Sequence, residues 1–232
     1  MKILALETSA VAASVAVCDD EALIAQSFQR TGLTHSATLM PMLESMLKNT
    51  GLALKEIDLS AVAAGPGSFT GLRIGVSAAK GLAWPLDKPC ASVSTLEAMA
   101  WQMSGMEGIV CASMDARRQQ VYNALFELND GRPVRMTPDR AISLGELGEE
   151  LAKIEKNQIL VGDGALLCYN AFQSKGYRVR LPPAHLQFQS AWGVARCALE
   201  QARAGHLTDA AGITPNYHRL SQAERERLAK QS

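Results

Sequence analysis

One order of secondary structure is written twice along this chain, and that repetition constrains the fold more than any single motif. In the first half, apolar runs at residues 3–6, 12–18 and 23–28 are separated by the polar turns Glu7-Thr8-Ser9 and Asp19-Asp20-Glu21, so three sequential strands are predicted. A helix is predicted over 34–50, stopped by Gly51. A strand at 59–64, a helix at 72–84 closed by Pro85, a strand at 90–93 and a helix at 94–103 follow. The second half repeats the scheme. Strands are predicted at 109–114, 120–127 and 134–136, and a helix runs to Lys156 from a capping box of Ser143 and Glu146. A strand at 159–161, a helix at 166–175, a strand at 177–181 and a helix at 191–204, ended by Gly205, complete it. Alternating strands and helices define an α/β fold.

The doubled order is the layout of the actin-like, sugar-kinase and heat-shock ATPase (ASKHA) superfold, so two subdomains of βββαβα order are expected. The boundary is placed in Gly105-Met106-Glu107-Gly108, giving residues 1–104, 105–205 and a terminal segment 206–232 that can rejoin the first unit. The helix over 34–50 carries Leu39, Met40, Met42, Leu43, Met46 and Leu47, which predicts two apolar faces. Pro41 inside it predicts a kink or a regular start only near Thr38.

With 232 residues, 47% of them hydrophobic, the chain can hide about 70% of its unfolded surface, which excludes disorder. Lys+Arg and Asp+Glu both number 23, so the field that autonomous nucleic-acid binders rely on is missing. No apolar run is long enough to span a bilayer, and Glu7 comes too early for a signal-peptide core. Five scattered cysteines without zinc-ligand spacing read as reduced thiols, so a cytoplasmic location is expected.

Gly65-Pro66-Gly67-Ser68-Phe69-Thr70-Gly71-Leu72-Arg73-Ile74-Gly75 is the most informative stretch. It fails the P-loop pattern, having no Gly-Lys-Ser/Thr, and the dinucleotide pattern, having Thr70 where the third glycine belongs. Gly71, Gly75 and Ala79 fall on one helix face, so close packing is favoured over phosphate binding. Glu7, Thr8 and Ser9 occupy the place of the superfold's first phosphate loop and read equally as a hydrogen-bonded turn. Asp115-Ala116-Arg117-Arg118 occupies the place of the second; its arginines can clamp an anion or stand as solvated or interface charges, and the latter are favoured. His35, His185, His206 and His218 lack ligand spacing, no Gly-x-Ser-x-Gly elbow occurs, and the mixed run Glu224 to Arg227 reads as an exposed end.

These stretches, with Ile3-Leu4-Ala5-Leu6-Glu7-Thr8-Ser9, His35-Ser36, Leu39-Met40-Pro41, Gly162-Asp163-Gly164 and Pro215-Asn216-Tyr217-His218-Arg219, resemble the TsaB (YeaZ) family over nearly the whole chain. The resemblance implies a non-catalytic bacterial partner in making threonylcarbamoyladenosine in tRNA. It implies a heterodimer with the similar but catalytic TsaD, which transfers the group from the threonylcarbamoyl-adenylate made by TsaC. The ATPase TsaE is an associated partner, self-association is expected of the isolated chain, and tRNA is met only through the complex. Where the catalytic paralogue has a metal-binding HxxxH pair, this chain has Thr95 and Met99, so no metal and no cofactor are expected. Glu7, Thr8, Ser9, Asp115, Arg117 and Arg118 are the candidate remnant of a nucleotide site. His35, Leu39, Met42, Met46, Arg73, Gly75 and Ala79 are the candidate partner interface, a helical bundle with adaptable methionines and close-approach small residues. The alternatives are an autonomous enzyme of the superfold (metallo-glycoprotease or small-molecule kinase) and a tRNA-binding module acting alone.

Overall fold

The computed structural model describes residues 1–218; the run from Glu224 to Arg227 lies outside the described residues. Strands β1 (Lys2–Glu7), β2 (Ala13–Asp19) and β3 (Ala22–Gln29) form an antiparallel meander. Helix α1 (His35–Thr50) carries the chain across to β4 (Leu59–Gly65), which pairs parallel with β1. Helix α2 (Phe69–Ala83) then leads to β5 (Cys90–Ser94), parallel to β4, and α3 (Thr95–Gln102) closes the half. The second half has β6 (Gly108–Asp115), β7 (Gln120–Asn129), β8 (Arg132–Arg135), β9 (Arg140–Ser143), α4 (Leu144–Leu151), β10 (Gln158–Val161), α5 (Ala165–Phe172), β11 (Val179–Arg180) and α6 (Ala191–Arg203). The sheets read β3-β2-β1-β4-β5 and β8-β7-β6-β10-β11, the same topology twice, with β9 added on β7. The expected ASKHA-type α/β fold is present.

Five layers result. α1 and α2 cover the outer face of the first sheet through Leu39, Met42, Leu43, Met46, Val76 and Ala79 against Leu4, Leu6, Val15 and Val62. α4 and α5 cover the outer face of the second. Between the sheets lie α6, which packs on Ile3, Ala5, Ala16 and Ala61, and α3, whose Leu96 and Met99 pack on Val110, Ala112 and Phe126. Each half therefore lends its last helix to the other half's sheet. Residues 206–218 lie along the first subdomain: Thr208 exchanges both backbone bonds with Cys90, and Ile213 is fully buried in the outer core. The five cysteines are free and buried.

Several expectations need correction. α1 starts at His35 and runs through Pro41 to Gly51, whose positive φ of 69° ends it. It has one apolar stripe, because Leu39, Met42, Leu43 and Met46 recur at helical spacing while Met40 faces outward. α4 keeps the Ser143–Glu146 capping box but stops at Leu151 instead of Lys156, since Leu151 supplies its last buried apolar contact. β9 is a short, half-buried strand with no alternation to announce it.

Candidate functional site

The candidate site sits where β1 and β6 end, at corresponding places in the two halves. Both strands finish in a carboxylate that folds back on its own turn: Glu7 Oε1 accepts the Ser9 amide at 2.6 Å, and Asp115 Oδ1 accepts the Arg117 amide at 2.7 Å. Each strand end is then approached by a glycine loop from the strand next door. A Cβ at Gly67 would stand 2.5 Å from the Ser9 carbonyl oxygen, and Cβ atoms at Gly71 and Gly75 would overlap the Thr8 carbonyl oxygen and hydroxyl. The Ser68 amide donates to the Ser9 carbonyl at 2.7 Å, and the Thr8 hydroxyl donates to the Gly71 carbonyl at 2.8 Å. In the second half, a Cβ at Gly164 would stand 3.0 Å from the Asp115 amide nitrogen, and the Gly164 amide donates to Ser113. The glycines are there so that helix and loop backbones can lie directly on the turns.

The consequence is a closed first turn. Glu7, Thr8 and Ser9 are each 0% exposed. Burial pushes the Glu7 carboxyl up to about 7, and the Asp163 charge adds to that push, while the hydrogen bond from the Ser9 amide opposes it. Asp163 in the facing loop is also driven up, to about 6, by burial first and then by Asp115, against a 3.2 Å bond from Gln189 Nε2. Glu7 Oε2, Ser9 Oγ and Gln189 Oε1 have no hydrogen-bond partner. A fully buried carboxyl of the first subdomain and a half-buried one of the second thus feel each other's charge across the seam.

The superfold implies a nucleotide and metal at this seam, and the residues present do not fit them. Glu7, Thr8 and Ser9 offer no exposed amide or hydroxyl, because α2 and its leading loop lie on Thr8 and Ser9; of the turn only Ala10 and Val11 reach solvent. Thr95 and Met99 are fully buried in the packing of α3, and among the described residues no group of three His, Cys, Asp or Glu is arranged to hold an ion. The second turn is open: Arg117, Arg118 and Gln119 are exposed, with φ of 65°, 56° and 57°. The candidate nucleotide residues therefore fall into a buried set, Glu7, Thr8 and Ser9, and an accessible set, Asp115, Arg117 and Arg118.

The candidate interface residues divide in the same manner. Leu39, Met42, Met46, Gly75 and Ala79 are buried within their own subdomain, holding α1 and α2 on the sheet, so they present no docking surface. His35 Nε2 lies 2.6 Å from the Ala10 carbonyl oxygen and ties α1 to the β1–β2 turn. Arg73 is exposed and donates from Nε to the Tyr217 hydroxyl at 2.9 Å, beside a Phe69–Tyr217 stack with centroids 4.2 Å apart. Sequence reasoning missed Asp163 and Gln189 as members of the seam. The spacing of Gly162 and Gly164, matching Gly65 and Gly67, is the signal that identifies Asp163; Gln189 carries none.

The doubled topology and the paired turns define a two-subdomain α/β protein of the ASKHA class. The described sheets resemble those of a ROK hexokinase from Thermus thermophilus, with a TM-score of 0.50 at 12% identity over 86% of this chain and 99% of that one. YeaZ from Pseudomonas aeruginosa superposes with a TM-score of 0.74 at 24% identity over 93% and 99%. Residues 20–226 match the family model described as TsaD: tRNA N6-adenosine threonylcarbamoyltransferase. The Bacillus subtilis tRNA threonylcarbamoyladenosine biosynthesis protein TsaB is 32% identical over 100% of both chains. The chain belongs to the TsaB (YeaZ) family within that wider transferase family.

Proposed function

We propose that this protein is the non-catalytic partner of a TsaD-type transferase in the synthesis of threonylcarbamoyladenosine in tRNA. TsaE and the threonylcarbamoyl-adenylate from TsaC complete the pathway, in the cytoplasm. The observation that carries this reading is the seal over Glu7, Thr8 and Ser9, where α2 occupies the space a phosphate would need. A superfold member with that turn filled keeps its shape and loses the means of gripping a reacting nucleotide.

The docking face follows from what α1 and α2 leave outside. Ala37, Met40 and Pro41 on α1 and Ser77, Gly81 and Trp84 on α2 or at its end are exposed, with Met40 at 46% and Trp84 at 66%. Small residues and two large apolar ones on adjacent helices suit a pseudo-symmetric four-helix contact with the equivalent helices of a paralogue, or with a second copy when the chain is alone. Met40→Lys with Gly81→Arg tests it. Co-purification with TsaD is lost at an unchanged melting temperature; retained binding refutes this face. Met42→Lys instead unfolds the chain, because Met42 is core.

A further inference from the structure

Sequence economy does not explain the β6–β7 turn. Three consecutive non-glycine residues, Arg117, Arg118 and Gln119, hold positive φ, a conformation that crowds Cβ against the following carbonyl and is usually left to Gly or Asn. The turn is nevertheless fixed: Ala116 N donates to Gln120 O at 3.0 Å, Gln120 N to Arg117 O at 3.2 Å, Leu144 N to Gln119 O at 3.1 Å, and Arg117 N to Asp115. Two arginines are thereby displayed side by side on a rigid support. Arg117 makes one ion pair, with Asp115 at 3.1 Å, and its side chain stays 86% exposed. Among the described residues Arg118 has no ion pair, although the chain makes many others.

We propose that Arg117 and Arg118 form a phosphate clamp for the phosphodiester backbone of RNA bound to the assembled complex, a reading that rests on the function proposed above. Guanidinium forks match phosphate oxygens in pairs, and a pre-formed turn loses little freedom on binding. A bound nucleotide is the poorer occupant. Its phosphates would need the opposite turn, which is closed at Glu7, Thr8 and Ser9, and backbone amides, where this turn presents side chains. Zero net charge fits a contact that positions RNA gripped mainly by another subunit.

The test uses the full chain with its transferase partner, unmodified tRNA as probe, and anisotropy titrations at several salt concentrations. The variant is Arg117→Asn with Arg118→Gly, two residues at ease with positive φ. Affinity falls about tenfold, and the slope of log K against log salt decreases in magnitude by about 2, one for each phosphate left without its arginine. The melting temperature is unchanged or higher, because crowding is relieved. Unaltered affinity and slope overturn the clamp, as does a variant that loses ADP binding while holding tRNA normally. Co-purification is scored separately and reports on the partner role. Should no complex form, the partner role fails and the clamp that rests on it falls too, whereas a complex that forms with unaltered affinity and slope overturns the clamp alone.

Discussion

Replacing Glu7 by Gln should stabilise this protein at alkaline pH and leave it unchanged in acid. Glu7 is fully buried at the subdomain seam, one oxygen on the Ser9 amide at 2.6 Å and the other without a partner. Its carboxyl moves from 4.5 in the unfolded chain to about 7 in the folded one, chiefly by burial. A raised acid favours folding only while it is protonated. Stability is thus highest below about pH 4.5, declines as pH rises from there to about 7, and is level above. At ~1.4 kcal/mol per pH unit, ionising the folded carboxyl costs about 3 kcal/mol. Gln keeps the Ser9 contact and the shape while removing the charge. At pH 8 E7Q should gain about 3 kcal/mol, seen as roughly 6–12 °C in melting temperature for a chain of this size. At pH 4 the two proteins should melt together. Calorimetry between pH 4 and 9 makes the comparison. Parallel curves, or an E7Q protein less stable at pH 8, would refute the buried-carboxyl argument.

Other consequences follow from the same packing. Gly71→Ala drives a methyl into the Thr8 carbonyl and should cost several kcal/mol, on the order of 3, in urea unfolding, whereas Gly81→Ala meets open space and should gain ~0.5–1 kcal/mol. Ser143→Ala removes the capping box of α4 and should cost about 1 kcal/mol in the same assay. Tyr217→Ala removes the stack on Phe69 and the Arg73 hydrogen bond, and should lower stability by about 1–2 kcal/mol while speeding proteolysis within residues 206–218.

The elements themselves were legible because their punctuation is chemical. Gly51 ends α1, Ser143 and Glu146 start α4, and the glycine stretch after β4 reads as close packing, which it is. What stayed hidden depends on contacts between distant segments. Nothing local in Ala98 and Trp101, or in Leu96 and Met99, tells which sheet each face of α3 will meet, so the exchange of α3 and α6 is invisible in sequence. Met42 and Met46 look like adaptable surface until the stripe through Leu39 and Leu43 is laid on the sheet. The seam is harder still: Asp163 and Gln189 gain their meaning only from Glu7, over 150 positions away in the chain.

The partner role proposed above rests on the closure of Glu7, Thr8 and Ser9 by the chain's own helix and loop. Threonylcarbamoyl transfer to unmodified tRNA, supplied with threonylcarbamoyl-adenylate and TsaE, tests it most directly with this chain alone, TsaD alone, and the two together. No product is expected from this chain alone, and far more from the pair than from TsaD alone. Product formed by this chain without TsaD, or a pair no better than TsaD by itself, would contradict that role.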